Sequence, residues 1–287
     1  MEPDLSQPGV LTSVLSQFDE INSAYFFTSN EEEDVCAHGD SDPSNEEENT
    51  GELLSLISDR LLTSIAVDER AWHIRSHEDV GRHLVAATDL TAGATVFREQ
   101  PLAVGEAEAY SERAMNSDMA SLAVELLRIP DGRGLEAARM LQEAINLPPR
   151  SAKQLQIWAL SFQLALAARN LTRTDGSALL VDRSSALWAL SVCSANGHHA
   201  DDHPERAVLG VLASLMQHSC EPSCEVSIAE MAQGSVLTLR TTRDVRAGES
   251  LSITYLDADA PVAERRGQLS SQHGFLCQCA KCCREAG

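Results

Sequence analysis

Three cysteines in the last part of the sequence have the spacing of a metal site. Cys277 and Cys279 are separated by one residue, and Cys282 follows after two more. Structural zinc takes four tetrahedral thiolate or imidazole ligands, with zinc–sulfur bonds of about 2.3 Å. A loop with this spacing can wrap one ion and supply three of the four ligands. Cys283 is adjacent to Cys282 and cannot easily bind the same tetrahedral ion, so we interpret Cys283 as a spare thiol.

A fourth ligand must come from elsewhere in the chain. Residues 217–224 contain two further cysteines beside a proline-fixed turn, and either Cys220 or Cys224 could reach the ion. Four thiolates on Zn²⁺ leave a net negative charge on the site. Lys281 and Arg284 are close enough in sequence to offset that charge, or else they are simply solvated.

The distribution of charge narrows the class of protein. The 287 residues carry a net charge of −21, and residues 1–70 hold 17 acidic but only 2 basic side chains. The remainder is only mildly acidic, which argues against a large phosphate-binding face and therefore against direct nucleic-acid binding. An acidic surface could attract a basic peptide such as a histone tail, whereas the simpler interpretation is a tail that aids solubility.

Neither a secretory signal nor a membrane span is predicted. Residues 1–9 have no basic region followed by an apolar one, and no apolar run approaches the roughly 18–20 residues of a membrane helix. We therefore expect a nuclear and/or cytoplasmic protein. Thiols stay reduced in those compartments, so the eight cysteines favour metal over disulfides. Without metal, the C-terminal cysteines would be reactive or merely buried.

Helices and short strands must position these side chains. Residues 84–86 and 95–97 are predicted as strands on either side of a turn at 91–93. Residues 107–170 are rich in Ala, Leu, Glu and Arg, and Gly and Pro divide them into about three helices. A further helix is predicted from Ser184 to about Cys193.

Strands are predicted again over residues 235–256, and a charged helix after Pro261. The last of these strands alternates between two faces. Its apolar face comprises Leu251, Ile253 and Tyr255, and its polar face comprises Ser252 and Thr254.

Two further patterns bear on organisation rather than chemistry. Residues 1–50 have the composition of a disordered segment, and Leu53–Ile65 has helical periodicity. Three histidines between residues 198 and 203 could suggest a metal site, but their spacing favours a solvent-exposed turn. They are His198, His199 and His203.

Four motifs occur in a fixed order in the last third. They are QHSCEPSC at 217–224, GESLSITY at 248–255, ERRGQL at 264–269 and FLCQCAKC at 275–282. The region from Leu209 to Cys282 resembles the C-terminal part of SET domains, most closely those of the SET-and-MYND family of protein lysine methyltransferases. That family has N-H-S-C-x-P-N-C, G-E-E-L-x-I-x-Y, E-R-R-x-x-L and F-x-C-x-C-x-x-C at these places.

The N-terminal part is similar as well. Residues 80–93, VGRHLVAATDLTAG, resemble the family's G-R-G-L-x-A-x-x-x-I-x-x-G, so the resemblance covers about residues 72–283. It implies an α+β fold: a β-clip of short strands with a divergent helical insert at about 107–195 and a zinc-binding post-SET segment. We expect no MYND zinc finger, since residues 101–150 contain no cysteine, and no C-terminal helical domain. The expected domains are an acidic, largely disordered segment 1–70, a SET domain 71–272 and a post-SET zinc segment 273–287.

The resemblance implies methyl transfer from S-adenosylmethionine to the side-chain amine of a protein lysine, in a histone or another protein. It makes Tyr255 the catalytic residue and Phe275 a wall of the substrate channel. The implied cofactor-binding residues are Gly81, Arg82, Asn196, Ser214, Gln217, His218, Tyr255 and Phe275. The implied zinc ligands are Cys220, Cys277, Cys279 and Cys282. The implied partner is a protein substrate such as a histone tail, with no direct nucleic acid and no membrane. The protein is expected to be a monomer.

Three positions depart from the family pattern. Gln217 and Ser223 stand where the family has Asn, and His83 stands where it has the second Gly of G-x-G. A longer amide at Gln217 displaces any contact set for Asn, and misplacement of about 1 Å can cost on the order of 10²-fold in rate. These departures favour a second interpretation, a catalytically weak or inactive SET-like, zinc-stabilised adaptor that binds proteins. Retention of Tyr255 and Phe275 favours the enzyme.

Overall fold

The computed structural model describes residues 71–77, 81–107, 117–130, 132–141, 147–169, 171–200, 203–232 and 234–286. The predicted acidic segment 1–70, with its helical pattern at Leu53–Ile65, lies outside these residues. Over the described residues the protein is α+β, with helices between sets of short strands. No helix in the described part of the chain is long and apolar enough to cross a membrane.

Two sheets of three strands and two strand pairs frame the protein. Strand β1 (Trp72–His77) forms an antiparallel pair with β2 (Gly81–Ala86). One three-stranded sheet has the order β3 (Thr95–Glu99), β9 (Gly234–Thr241), β8 (Cys224–Met231), and the other has β4 (Ala103–Glu106), β6 (His203–Leu209), β5 (Gly197–Ala200). The short strands β7 (Gln217–His218) and β10 (Ser252–Ile253) pair in parallel.

Between β4 and β5, the residues that the structure describes form four helices. They are α1 (Asp118–Leu127), α2 (Arg133–Arg139), α3 (Pro149–Ala167) and α4 (Arg183–Asn196). Ser117 caps α1 by accepting the Ala120 N–H at 3.1 Å, and Asp182 caps α4 by accepting the Ser185 N–H at 2.7 Å. This arrangement confirms the predicted three helices over 107–170 and the helix at 184–193, which extends to Asn196.

One apolar core joins the helices to the sheets. Phe97 of β3, Leu122 of α1, Phe162 of α3 and Leu190 of α4 are buried together in it. Gly105 allows α1 to approach β4, because a Cβ at this glycine would lie 2.1 Å from the Leu122 nitrogen. The helical insert is therefore packed against the sheets as part of the same core.

The C-terminal part forms a second, smaller core. Helix α5 (Val262–His273) begins after Pro261 as predicted and ends at Gly274, whose φ of 76° only glycine adopts readily. Helix α6 (Ala280–Ala286) follows. Leu269 of α5 packs among buried cysteines from three segments of the chain, so this core is built around sulfur.

One sequence prediction about the strands is wrong in extent, because strand β10 has only two residues. Ser252, predicted on the polar face of this strand, is buried, as are Leu251 and Ile253. Ser252 tolerates burial because its hydroxyl lies 3.3 Å from that of Ser223, whose backbone N–H donates to it at 3.1 Å.

The histidine-rich stretch does not form the predicted turn. His198 and His199 lie in β5, and His203 begins β6. His199 and His203 have exposed side chains, but His198 is largely buried, and burial lowers its pKa to about 4. The pairing of β5 with β6 removes His198 from solvent, and periodicity in so short a segment gave no sign of that pairing.

Candidate functional site

Four cysteines from distant parts of the chain meet at the C-terminal core. The sulfurs of Cys220, Cys277, Cys279 and Cys282 all lie within 4.8 Å of one another, and those of Cys220 and Cys282 are 3.6 Å apart. A tetrahedron with zinc–sulfur bonds of about 2.3 Å has sulfur–sulfur edges of about 3.8 Å. The donor type, number and spacing therefore fit one zinc ion.

The spacing prediction left two candidates for the fourth position, and the structure brings only one of them to the cluster. Cys220 lies in the loop after β7, whereas Cys224 begins β8 and its sulfur lies 3.8 Å from the Ser223 hydroxyl. Cys283 also stays outside the cluster and donates to the Gln278 carbonyl at 3.4 Å. The set of four is thus the set that the resemblance implied.

The four thiols have unequal acidities. Burial raises the pKa of Cys220 to about 11 and also raises the pKa of Cys277. Burial opposes ionisation of Cys279 as well, but the backbone N–H groups of Cys282 and Cys220 donate to it and bring its pKa down to about 7. Binding of a metal ion requires thiolates, so it would displace protons from the Cys220 and Cys277 sulfurs.

A buried arginine that the sequence did not single out lies against the cluster. Arg265 of α5 is 1% exposed, and its Nη2 lies 3.5 Å from the Cys282 sulfur and 2.6 Å from Glu285 Oε2. The Glu285 carboxylate raises the pKa of Arg265, so the guanidinium stays charged. Its Nε has no hydrogen-bond partner among the described residues. This cation can offset part of the negative charge of four thiolates.

The two cations proposed from the sequence make other contacts. Lys281 Nζ donates to the Ala258 carbonyl at 2.7 Å, and Arg284 forms an exposed ion pair with Glu221. Sequence proximity to the cysteines was misleading, because α6 directs both side chains away from the sulfur core. In the sequence, Arg265 stands out only as part of the ERRGQL motif. Which residue of this motif is buried depends on tertiary packing.

We expect Arg265→Met to weaken zinc binding. Loss of groups that hydrogen-bond metal ligands typically costs about 10–100-fold in metal affinity, and here a buried positive charge is lost as well. Competition with a chromophoric chelator would measure the affinity. Arg284→Met is the matched control, since this arginine is 60% exposed and bonds Glu221. Equal affinities of the two variants would contradict the role of Arg265.

Tyr255 lies immediately beside the cysteine cluster. Its backbone N–H donates to His218 Nδ1 at 3.1 Å, and His218 Nε2 lies 3.3 Å from the Cys220 sulfur. Burial lowers the pKa of His218 to about 4, so the imidazole is neutral. Because Nδ1 accepts, Nε2 carries the proton and donates to sulfur. His218 therefore connects Tyr255 to the cluster through two hydrogen bonds.

The Tyr255 side chain is fixed and uncharged. Its hydroxyl donates to the Met216 carbonyl, and burial raises its pKa. The His218 ring packs 5.2 Å from the Tyr255 ring and 6.0 Å from the Phe275 ring, measured between centroids. The Phe275 side chain is 37% exposed. The structure thus brings the predicted catalytic and channel residues together at an open edge of the cysteine core.

A fourth ring, which the sequence analysis missed, belongs to this group. His273 ends α5, and its imidazole lies 4.9 Å from the Tyr255 ring and 6.3 Å from the Phe275 ring. It lies two residues before Phe275 and one before the helix-ending Gly274. That position was the available signal, because the αL turn folds the chain back beside the helix end.

Three of the predicted cofactor residues lie in or shortly after a 3₁₀ turn, Ala213–Leu215. Ser214 is in this turn, Gln217 and His218 follow it, and β2 contacts it. Strand β2 begins with Gly81, whose φ is 68°, and continues with Arg82. Asn196 ends α4 directly before β5.

Three of these side chains bond to backbone carbonyls of the protein itself. Arg82 donates to Met140, Ser214 donates to Gly210, and Asn196 Nδ2 donates to Val192 at 2.7 Å. Burial also lowers the pKa of Arg82. These bonds fix the side chains in place.

The 3₁₀ turn is held by a buried carboxylate. Glu99 of β3 is 2% exposed and accepts the N–H groups of Val211 and Leu212 at 3.0 Å and of Ala213 at 2.7 Å. Gly210 is required beside it, because a Cβ there would lie 2.3 Å from Glu99 Oε1. Alternation along β3 places Glu99 on the same face as buried Phe97, which was the signal in the sequence.

Glu99 should make stability fall as pH rises. Burial raises its pKa from 4.5 to about 7, against the opposing N–H groups of Ala213, Leu212 and Val211. Between these values the folded protein holds a proton that the unfolded chain has released, so the free energy of unfolding decreases with pH, by about 3 kcal/mol in total. Urea unfolding across this window should show the slope in the wild type and lose it in Glu99→Gln. A stability difference between the two proteins that stays constant with pH would contradict this.

Comparison with known proteins agrees with this geometry. The SET domain family model matches residues 81–256, more than half of the chain. The histone-lysine N-methyltransferase SMYD3 of Mus musculus is 44% identical over 69 residues, which are 24% of this chain and 15% of that protein. The histone-lysine N-methyltransferase SET5 of Yarrowia lipolytica is 38% identical over 72 residues, 25% of this chain and 16% of that protein. The matched regions thus span only a small part of these relatives.

A solved structure shares the fold at low sequence identity. It is the SET domain of LSMT bound to lysine and AdoHcy, with a TM-score of 0.56, 15% identity and coverage of 79% of this chain and 57% of that chain. The extent of the family match, together with this shared fold, identifies the architecture. The chain belongs to the SET-domain family.

Proposed function

We propose that this protein transfers a methyl group from S-adenosylmethionine to the side-chain amine of a protein lysine. The observation that carries the proposal is the placement of Tyr255, His218 and Phe275 side by side at the edge of the cysteine core. The relatives named above are lysine methyltransferases, and the LSMT SET domain is described as bound to lysine and AdoHcy. Both descriptions support this reaction for a chain of the same family.

Tyr255 would orient the reacting amine. A lysine amine near pKa 10.4 is protonated at neutral pH and must lose a proton before it can attack. S-adenosylmethionine supplies the electrophilic methyl, and its positive charge favours the neutral amine. The Tyr255 hydroxyl is uncharged and donates to the Met216 carbonyl, so the lone pairs of its oxygen remain free to accept hydrogen bonds. Positioning of this kind contributes most where the groups are held rigidly.

The cysteine cluster would hold the rings of Phe275 and Tyr255 in fixed positions relative to each other. We propose Cys220, Cys277, Cys279 and Cys282 as the four ligands of one zinc ion. Phe275 lies two residues before Cys277, and Tyr255 bonds to the cluster through His218. Zinc would fix both rings, and it would do so without taking part in the chemistry.

The cofactor would lie along the 3₁₀ turn Ala213–Leu215. The residues proposed to bind it are Gly81, Arg82, Asn196, Ser214, Gln217, His218, Tyr255 and Phe275. The positive φ of Gly81 and the fixed turn support a close approach of backbone to ligand. We also propose the domain bounds. Residues 1–70 form an acidic N-terminal segment, residues 71–272 the SET domain, and residues 273–287 the post-SET zinc segment.

The substrate is proposed to be a basic protein segment such as a histone tail. The net charge of −21 would attract such a segment by long-range electrostatics. The same charge disfavours direct binding of nucleic acid. A monomer in the nucleus and/or the cytoplasm fits this role.

The test is methyl transfer from isotopically labelled S-adenosylmethionine to proteins of a cell extract, read by mass spectrometry. Label on lysine side chains is the expected result. Recombinant core histones in a parallel reaction would test the narrower substrate proposal. Label confined to other residue types, or absent while the cofactor binds, would contradict the reaction.

A binding adaptor without turnover is the second candidate. It is favoured by Arg82, Asn196 and Ser214, each of which already donates to a backbone carbonyl. Titration calorimetry separates the two functions. The enzyme requires binding of S-adenosylmethionine to the zinc-loaded protein, whereas the adaptor does not.

A further inference from the structure

The imidazole of His273 is packed against the ring proposed to act in catalysis. Its centroid lies 4.9 Å from that of Tyr255, with the planes inclined at 47°, and 6.3 Å from that of Phe275. Gly274, with its φ of 76°, ends the helix and reverses the chain between the two aromatic residues. His273 therefore borders the same space as Tyr255 and Phe275.

His273 is a polar side chain that lacks a polar partner. No described residue forms a hydrogen bond with either of its ring nitrogens, and burial is what lowers its pKa. A protonated histidine would suit the C-terminus of a helix, but burial favours the neutral ring, so that explanation does not account for it. A neutral imidazole carries one N–H donor and one lone-pair acceptor. His273 is only half-buried, and its nitrogens are not among the buried atoms without a partner, so both groups remain accessible to a ligand.

Of the other three rings, only that of Tyr255 offers a free acceptor, because its hydroxyl oxygen keeps its lone pairs. His218 accepts the Tyr255 N–H at Nδ1 and bonds the Cys220 sulfur from Nε2. The Tyr255 hydroxyl gives its proton to the Met216 carbonyl. Phe275 has no polar atom. Among the described residues, the titratable rings that pack against His273 or Phe275 are those of His218 and Tyr255. Both are uncharged at neutral pH.

We infer that His273 determines specificity at this site by accepting a hydrogen bond from an N–H of the substrate lysine amine. The inference rests on the proposed function, since it assigns the reacting amine to the space between Tyr255 and Phe275. A neutral lysine amine offers two N–H bonds, a monomethylated amine offers one, and a dimethylated amine offers none. An acceptor at His273 therefore favours the less methylated lysine as substrate and disfavours the last methyl transfer.

Two kinds of substitution separate this role from simple packing. His273→Phe keeps an aromatic ring against Tyr255 and removes both nitrogens. His273→Asn and His273→Gln remove the ring but place an amide oxygen near one or the other ring nitrogen. A packing role predicts that Phe is the better replacement, whereas an acceptor role predicts that one of the amides is.

The experiment is titration calorimetry of the zinc-loaded, full-length chain with S-adenosylhomocysteine present. The probes are free L-lysine and Nε-trimethyl-lysine, which has no N–H on its terminal nitrogen. The wild type is expected to prefer lysine, and His273→Phe is expected to reduce that preference by about 10-fold or more. One of the two amide variants should restore part of it. An unchanged ratio in His273→Phe, or a ratio restored by neither amide, would overturn the inference.

Turnover is measured separately, so that failure of the proposed function can be recognised. If the wild type methylates histones or extract proteins and His273→Phe keeps the same ratio of mono-, di- and trimethyl-lysine, the reaction stands and the role of His273 is wrong. A shift towards trimethyl-lysine in His273→Phe supports the role. If the wild type transfers no methyl, the proposed function fails, and the lysine preference in calorimetry still decides whether His273 accepts an amine N–H.

Discussion

Tyr255→Phe is expected to lower kcat for methyl transfer by about 100-fold or more, because removal of one positioned polar group from a transition-state site has an effect of this size. The phenyl ring keeps its contacts with His218 and His273, whose centroids lie 5.2 and 4.9 Å from the tyrosine ring. Only the hydroxyl and its bond to the Met216 carbonyl are lost. The cost to the free energy of unfolding should be about 1 kcal/mol.

Measurement of kcat, KM for S-adenosylmethionine and zinc content on the same preparation would check this expectation. Zinc content should stay at one ion per chain, and KM should change little, because the backbone N–H that bonds His218 remains. Thr254→Ala is the matched control: it removes a hydroxyl from the adjacent, exposed residue, which bonds only within its own loop, at 2.7 Å to the Leu256 carbonyl. The role of Tyr255 is refuted if the phenylalanine variant turns over at the control's rate.

Removal of zinc is expected to unfold the C-terminal core and to lower the melting temperature by on the order of 10 °C or more. Structural zinc contributes its binding energy to folding, and each kcal/mol shifts the melting temperature of a domain of this size by about 2–4 °C. The reason is local: apart from Leu269, the fully buried part of this core is made of three of the cysteines themselves. Without metal, burial keeps the Cys220 and Cys277 thiols protonated.

Cys279→Ser should reproduce the effect of a chelator, and Cys283→Ser is its control. Cys283 is four residues away but lies outside the cluster, with its thiol on the Gln278 carbonyl. Hydrogen exchange would locate the loss of protection, which is expected in α5 and α6 and not in the helical insert. Equal melting temperatures of the two serine variants, or an unchanged transition after verified loss of zinc, would show that no structural zinc is bound.

The parts of the site that could be predicted are those encoded in local spacing. The spacing of the C-terminal cysteines predicts three ligands: Cys277, Cys279 and Cys282. The alternation of side chains in β3 also places Glu99 on the buried face, although Glu99 was not among the predicted site residues. The residues that were missed act across the fold. Arg265 and His273 lie on one helix of ordinary charged and polar composition, and only its packing on the cysteine loop shows that one reaches sulfur and the other an aromatic ring.

Buried polar residues show that a polar face inferred from the sequence need not be exposed to solvent. Ser252 was predicted on the polar face of its strand because apolar residues alternate with it, but it is buried, and its hydroxyl lies 3.3 Å from that of Ser223. The same polar match explains why Ser223 is buried where the family has Asn. Alternation of side chains indicates which residues of a strand share a face. It does not indicate which polar side chains have a hydrogen-bond partner inside the protein.

The pairing of β3 with β9 implies an order of events during synthesis of the chain. These strands are joined through Glu99 and Leu237, so more than 130 residues must be made before the sheet can close. The helices between them are built from local contacts, which form fastest. The helices of the insert can thus begin to form while the chain is still being synthesised, although they share their core with the sheets. The cysteine core cannot form until Cys282 has emerged, so a chain interrupted before that point would lack the cluster of four cysteines.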